Sequence, residues 1–149
     1  MKIYFDHEKL NVYHESLKFA GWCETIFERI PARAAIYSQL DRARTSIPLN
    51  IAEGNGKFTA PDRCRFFDTA WGSSLECAAC LDLLFTKKLL SEEEVDFGKE
   101  MLRGVVSMLV GLIKSHSPDR LKEEPVEYRI GEESKSKMKS KSKKVTGRA

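Results

Sequence analysis

Gln39, Arg42, Ser46, Asn50 and Glu53 recur at spacings of three and four, which puts them on one face of a helix. Together they offer a guanidinium, a carboxylate, two amides and a hydroxyl. Such a row can hold a phosphate or lock a neighbouring helix. A helix facing a core should be apolar there, because each buried polar group left unpaired costs about 1–3 kcal/mol. The row therefore specifies either the fold or a ligand.

A second row, Asp62, Arg65, Thr69, Ser73 and Glu76, follows on the next helical segment. The turn between the two segments centres near residue 57, so facing residues should have numbers that sum to about 115. Asn50 then meets Arg65, Ser46 meets Thr69, Arg42 meets Ser73 and Gln39 meets Glu76. This predicts a polar seam of Gln39, Arg42, Ser46, Asn50, Glu53, Thr69, Ser73 and Glu76. Arg42 would pair with Glu76, and Gly72 would let the helices approach. One reading makes the seam a device that fixes helix register. The other makes Arg42, Arg44 and Arg65 phosphate ligands. Arg44 lies off the row and is expected to be the more exposed. With Lys57, Arg63 and Arg65 it forms the candidate nucleic-acid contact set of the body.

Other chemistry finds little support. Cys77-Ala-Ala-Cys80 puts two thiols on one helical face, but no second pair of Cys or His stands at zinc-ligand spacing. His7 and His14 are read as solvated, and no Glu-x-x-His occurs for a di-iron bundle site. There is no nucleophile elbow, phosphate loop or dinucleotide fingerprint. The expectation is a protein that is not an enzyme and uses no cofactor or metal.

Four amphipathic segments must position these residues. The first runs from about Asp6 to Ile30 with Val12, Tyr13, Phe19, Cys23, Ile26, Phe27 and Ile30 on its stripe, and Pro31 stops it. The second, about Ala34 to Glu53, carries Pro48 and ends at Gly54-Asn-Gly56. Thr59 caps the third, with Pro61 and Asp62 in its first turn. Ser91-Glu-Glu-Glu94 is a capping box that opens the fourth, and Ser117-Pro118 ends it. Short connections between long helices make neighbours antiparallel. The predicted fold is all-α, an up-down-up-down four-helix bundle over residues 1–117, with a charged, largely disordered tail over 118–149.

The 149 residues suffice for one domain with a real core. No N-terminal apolar run reads as a signal peptide, and no apolar stretch is long enough for a membrane span. A cytoplasmic protein with four reduced cysteines is expected, without membrane contact. The net charge of +3 is set by the tail. Residues 135–149 hold six Lys and one Arg with no acid, whereas residues 1–134 hold 18 bases and 22 acids. Lys135, Lys137, Lys139, Lys141, Lys143 and Lys144 form a flexible polycation. Displacing about six counterions from duplex DNA would give a log–log salt slope near −5. The other reading of the tail is a solubilising segment.

Gln39-Leu40, Arg42-Ala43, Ser46-Ile47-Pro48 and Asn50-Ile51-Ala52-Glu53-Gly54 together resemble the signature of the bacterial four helix bundle proteins, also called 23S rRNA-intervening sequence proteins. Phe66, Ala70, Gly72-Ser73 and Glu76 match that family's second block, and Leu10-Asn-Val-Tyr13 its opening. The resemblance covers roughly residues 8–115. It implies a non-enzymatic four-helix bundle that assembles as a homopentamer and binds RNA or DNA as an accessory factor. The alternative is a scaffold whose partner is a protein. The sequence departs from the signature at Asp41, where the first of two consecutive Arg is usual, and at Arg44, where a small residue is usual.

Overall fold

The computed structural model describes residues 1–117. The expected tail, with Lys135 to Lys144, lies outside the described residues. A 3-10 turn at Asp6–Lys9 precedes four helices: α1 (Asn11–Phe27), α2 (Ala35–Asn55), α3 (Ala60–Thr86) and α4 (Glu92–His116). Among the described residues there is no strand. The helices α1–α2, α2–α3, α3–α4 and α1–α4 pack side by side, whereas the diagonal pairs do not approach. Neighbours in sequence are thus neighbours in space around a square, which is the up-down-up-down bundle.

The local signals act as the sequence predicts. Thr59 Oγ1 accepts from Asp62 N at 3.3 Å. In the Ser91 capping box, Ser91 Oγ accepts from Glu94 N and Glu94 Oε1 accepts from Ser91 N, each at 3.2 Å. The first segment is different: the chain is extended at Leu10, so it splits into a 3-10 turn and α1 rather than running as one helix. The Glu8 carboxylate accepts from Tyr4 N at 2.6 Å and Phe5 N at 2.8 Å, which caps the start of the 3-10 turn.

Every helix contributes a fully buried stripe: Phe19, Cys23 and Ile26 from α1; Leu40, Ala43, Ile47 and Ile51 from α2; Phe67, Leu81 and Leu84 from α3; Val105 and Leu109 from α4. Burying each large side chain contributes about 1.5–3 kcal/mol. Cys23, Cys64, Cys77 and Cys80 are all buried and free. Burial pushes the Cys23 thiol up to about 12.

Two glycines are required by packing. A Cβ on Gly54 would lie 2.8 Å from Phe66 Cβ, and one on Gly98 would lie 2.6 Å from Leu81 Cδ1. Gly72, expected to allow the close approach, has nothing near it and faces solvent. The approach of α2 to α3 is made at Gly54 instead.

Arg29, just beyond α1, clamps the start of α4. Its Nη1 donates to Glu94 Oε1 at 2.9 Å and its Nη2 donates to Oε2. This guanidinium, helped by Ser91 N–H, holds the Glu94 carboxyl down at about 2 rather than 4.5. A carboxyl lowered in the folded state stabilises above its unfolded pKa and loses that contribution as pH falls. Stability is therefore expected to decline between about pH 4.5 and 2 through this pair. As a surface ion pair it is worth up to about 1 kcal/mol. Urea melts at pH 5 and pH 3 should show a smaller drop for Glu94→Gln than for the parent chain.

Candidate functional site

The polar row of α2 and its counterpart on α3 meet at one place. Ser73 Oγ donates to Ser46 Oγ at 2.8 Å, and Asn50 Nδ2 donates to Ser46 Oγ at 2.9 Å and to Ser46 O at 2.8 Å. These three side chains close a small network around the Ser46 hydroxyl, at the margin of the core. The rest of the expected seam is not closed. Gln39, Arg42, Glu53 and Thr69 are exposed, and Arg42 forms no ion pair with Glu76.

The register also differs from expectation. Ser46 meets Ser73 rather than Thr69, one helical turn further along α3. Side chains in a helix lean toward its N-terminus. In this antiparallel pair the α2 side chains lean away from the connecting turn and the α3 side chains lean toward it. Facing tips therefore carry numbers with a larger sum than their Cα levels would give. A turn-centred count ignores that lean.

Arg44 is the largest correction. It is not the exposed arginine: its side chain is only 13% exposed. Its Nη1 donates to Ala20 O at 2.8 Å and meets Glu24 Oε1 at 2.6 Å. Its Nε and Nη2 donate to Asp41 Oδ1 at 3.0 and 2.7 Å. The guanidinium also lies over the Phe27 ring, 4.3 Å from the centroid. The bonds to Ala20 and Glu24 and the stacking on Phe27 join α2 to α1, the bonds to Asp41 hold the group from within α2, and no fork is left for a phosphate. Sequence carried a signal for this: Leu40, Arg44, Ile47 and Ile51 are themselves spaced four, three and four apart. Arg44 thus sits on the edge of the apolar stripe.

The other body cations are placed differently. Lys57 and Arg65 flank the Phe66 ring, at 4.9 and 5.4 Å from its centroid. Arg63 Nε donates to Lys57 O at 2.7 Å, which ties the α2–α3 connection to the first turn of α3. Among the described residues, Lys57, Arg63 and Arg42 have no carboxylate within ion-pairing distance. Arg65 reaches Asp62 only at 3.7 Å and is largely exposed. On α1 and between α3 and α4, by contrast, Lys18 pairs with Glu15 at 2.9 Å and Lys99 with Asp82 at 2.5 Å. The structure thus gathers Lys57, Arg63 and Arg65 at one end of the bundle and leaves Arg42 on the outer face of α2. Leu49, 57% exposed, shares that face with Arg42, Asn50 and Glu53 along a shallow depression.

Phe58 was not among the residues expected to matter. It stands fully exposed in the connection between Lys57 and Thr59. An aromatic in an otherwise polar turn was the available signal. Among the described residues, no three His, Cys, Asp or Glu side chains stand together as a metal site. No helix among them is long and apolar enough to cross a membrane.

The model of the family described as 23S rRNA-intervening sequence protein matches residues 8–111. Among solved structures, the chain is similar to a protein of unknown function from the S23 ribosomal protein family of Bacteroides thetaiotaomicron VPI-5482. The identity is 22% and the TM-score 0.64, and the match covers 69% of this chain and 98% of that one. At that identity the likeness concerns the fold. No curated protein matches the chain.

Proposed function

Because the chain belongs to the 23S rRNA-intervening sequence protein family, we propose that it is a non-enzymatic, homo-oligomeric accessory protein that binds RNA or DNA. The observation that carries this reading is the set of cations at the α2–α3 connection: Lys57 and Arg63, which have no ion pair among the described residues, with the loosely paired Arg65 beside them. Phosphate contacts of this kind are sequence-independent and weaken with salt as counterions are released. The six lysines between Lys135 and Lys144 would add phosphate contacts of the same kind.

Self-association is proposed through the outer face of α2. Leu49 stands there among polar side chains of the family signature that have no partner within the chain, as Gln39, Arg42 and Glu53 show. A pentamer is the state the family resemblance implies, and five copies would add avidity.

Titration of a labelled RNA at several salt concentrations tests the nucleic-acid reading. Lys57→Gln and Arg65→Gln are each expected to weaken binding and to flatten the log–log salt slope by about one unit. Lys87→Gln with Lys88→Gln, at the opposite end of α3, should leave both unchanged. Binding without salt dependence would count against the proposal. So would capture of one specific protein that survives nuclease and high salt while no nucleic acid is bound. That outcome favours a scaffold.

A further inference from the structure

We propose that the end of the bundle carrying the α2–α3 connection is a stacking platform for single-stranded nucleic acid, with Phe58 as its leading ring. This rests on the nucleic-acid reading above and adds the form of the substrate: a strand whose bases are free to leave their stack.

Phe58 buries none of its surface against the protein. It therefore forgoes the roughly 1.5–3 kcal/mol that a buried phenylalanine contributes. It is nonetheless held on a fixed stalk. Lys57 N donates to Gly54 O at 3.1 Å on one side of it, and Thr59 caps α3 on the other. The Arg63 bond to Lys57 O closes the turn beneath it. The ring is thus presented outward by a turn that is anchored on both sides.

More aromatic surface lies at the same end. Asn55, the last residue of α2, donates through Nδ2 to Asp6 Oδ2 at 3.0 Å, which seats the N-terminal turn beside the connection. Tyr4 and Phe5, both largely exposed, are held there through the Glu8 carboxylate. The acids of this end are engaged. Asp6 is held below the usual carboxylate range by Asn55 and then Lys9, and Glu8 by the Phe5 and Tyr4 N–H groups. Lys57, Arg63 and Arg65 remain for phosphates.

Rings with open faces beside cations suit an unpaired strand. Every base has a π-face, so stacking is tolerant of sequence, and each stacked base contributes about 1–3 kcal/mol. A duplex hides those faces and meets only the cations. Asp6, Glu8 and Asp62 would meet a strand and an anionic bilayer alike, so it is base stacking on the rings that favours the strand.

The test uses the full chain and fluorescence anisotropy with labelled oligouridylate, oligothymidylate and a duplex of the same length. Phe58→Ala is expected to lower single-strand affinity about five- to tenfold or more and to leave duplex affinity unchanged. Phe58→Trp should restore the single-strand value. Thermal melts of the variants should match the parent, since Phe58 packs on nothing. Equal loss on strand and duplex, or no loss on either, overturns the platform while leaving a salt-dependent nucleic-acid protein in place. Absence of binding to all three probes removes both readings. Loss of co-sedimentation with phosphatidylserine vesicles in Phe58→Ala, with strand binding intact, overturns the platform in favour of a membrane contact.

Discussion

Truncation of Phe67 to alanine is expected to remove about 3–5 kcal/mol of stability, read as a fall in the urea midpoint followed by circular dichroism. The ring is fully buried and joins three helices. It belongs to α3, stacks on His116 of α4 with centroids 6.0 Å apart, and lies against Gly54 of α2. Removing it opens a cavity where none of the three helices can move in alone. Gly54→Ala probes the same contact from the other side. Its new Cβ would stand 2.8 Å from Phe66 Cβ and 3.0 Å from Phe67 Cε1. Phe66 Cβ is fixed to the α3 backbone, so the helices must part, at a cost of about 1–3 kcal/mol. The double substitution should cost less than the sum, because loss of the Phe67 ring relieves one of the two clashes. Additive costs would mean that the two sites do not share this contact.

Arg44→Ala is expected to cost about 2–3 kcal/mol while leaving the nucleic-acid affinity of the folded protein unchanged. The loss combines the stacking on Phe27, the bond to Ala20 O and the two carboxylate contacts. Glu24 and Asp41 are half-exposed or more, so water can replace their partner, and the cost stays below that of breaking a fully buried pair. Arg44→Lys should recover little of it, since one ammonium cannot reach all three oxygens or stack as a plane. A drop in affinity with no change in melting temperature would return Arg44 to the binding surface. The two positions at which the sequence departs from the family signature, Asp41 and Arg44, are bonded to each other. Arg44 in turn cross-links α2 to α1 through Ala20 and Glu24.

The number of helices, their order and three of their boundaries were legible, because capping residues and apolar spacing act locally. Thr59 and Ser91 carry their structure within a few residues of chain. The break at Leu10 was not legible, since no proline or glycine marks it. The polar rows were read as buried because a single chain offers each of them only one neighbour. In the structure just Ser46, Asn50 and Ser73 turn toward each other. Arg44 was misplaced because attention to the polar spacing hid its membership of the apolar one. Phe58 was missed because counting core candidates gives no weight to an aromatic that packs on nothing.

The four buried thiols make the protein its own recorder of opening. Cys23, Cys64, Cys77 and Cys80 are each no more than 3% exposed, so an alkylating reagent has no access to them in the folded bundle. Modification must then wait for the bundle to open. Cys23 reports from α1, and Cys64, Cys77 and Cys80 from successive levels of α3. Mass increments that arrive together mean that the helices part in one event. Increments that arrive at Cys64 first mean that the α2–α3 end frays on its own.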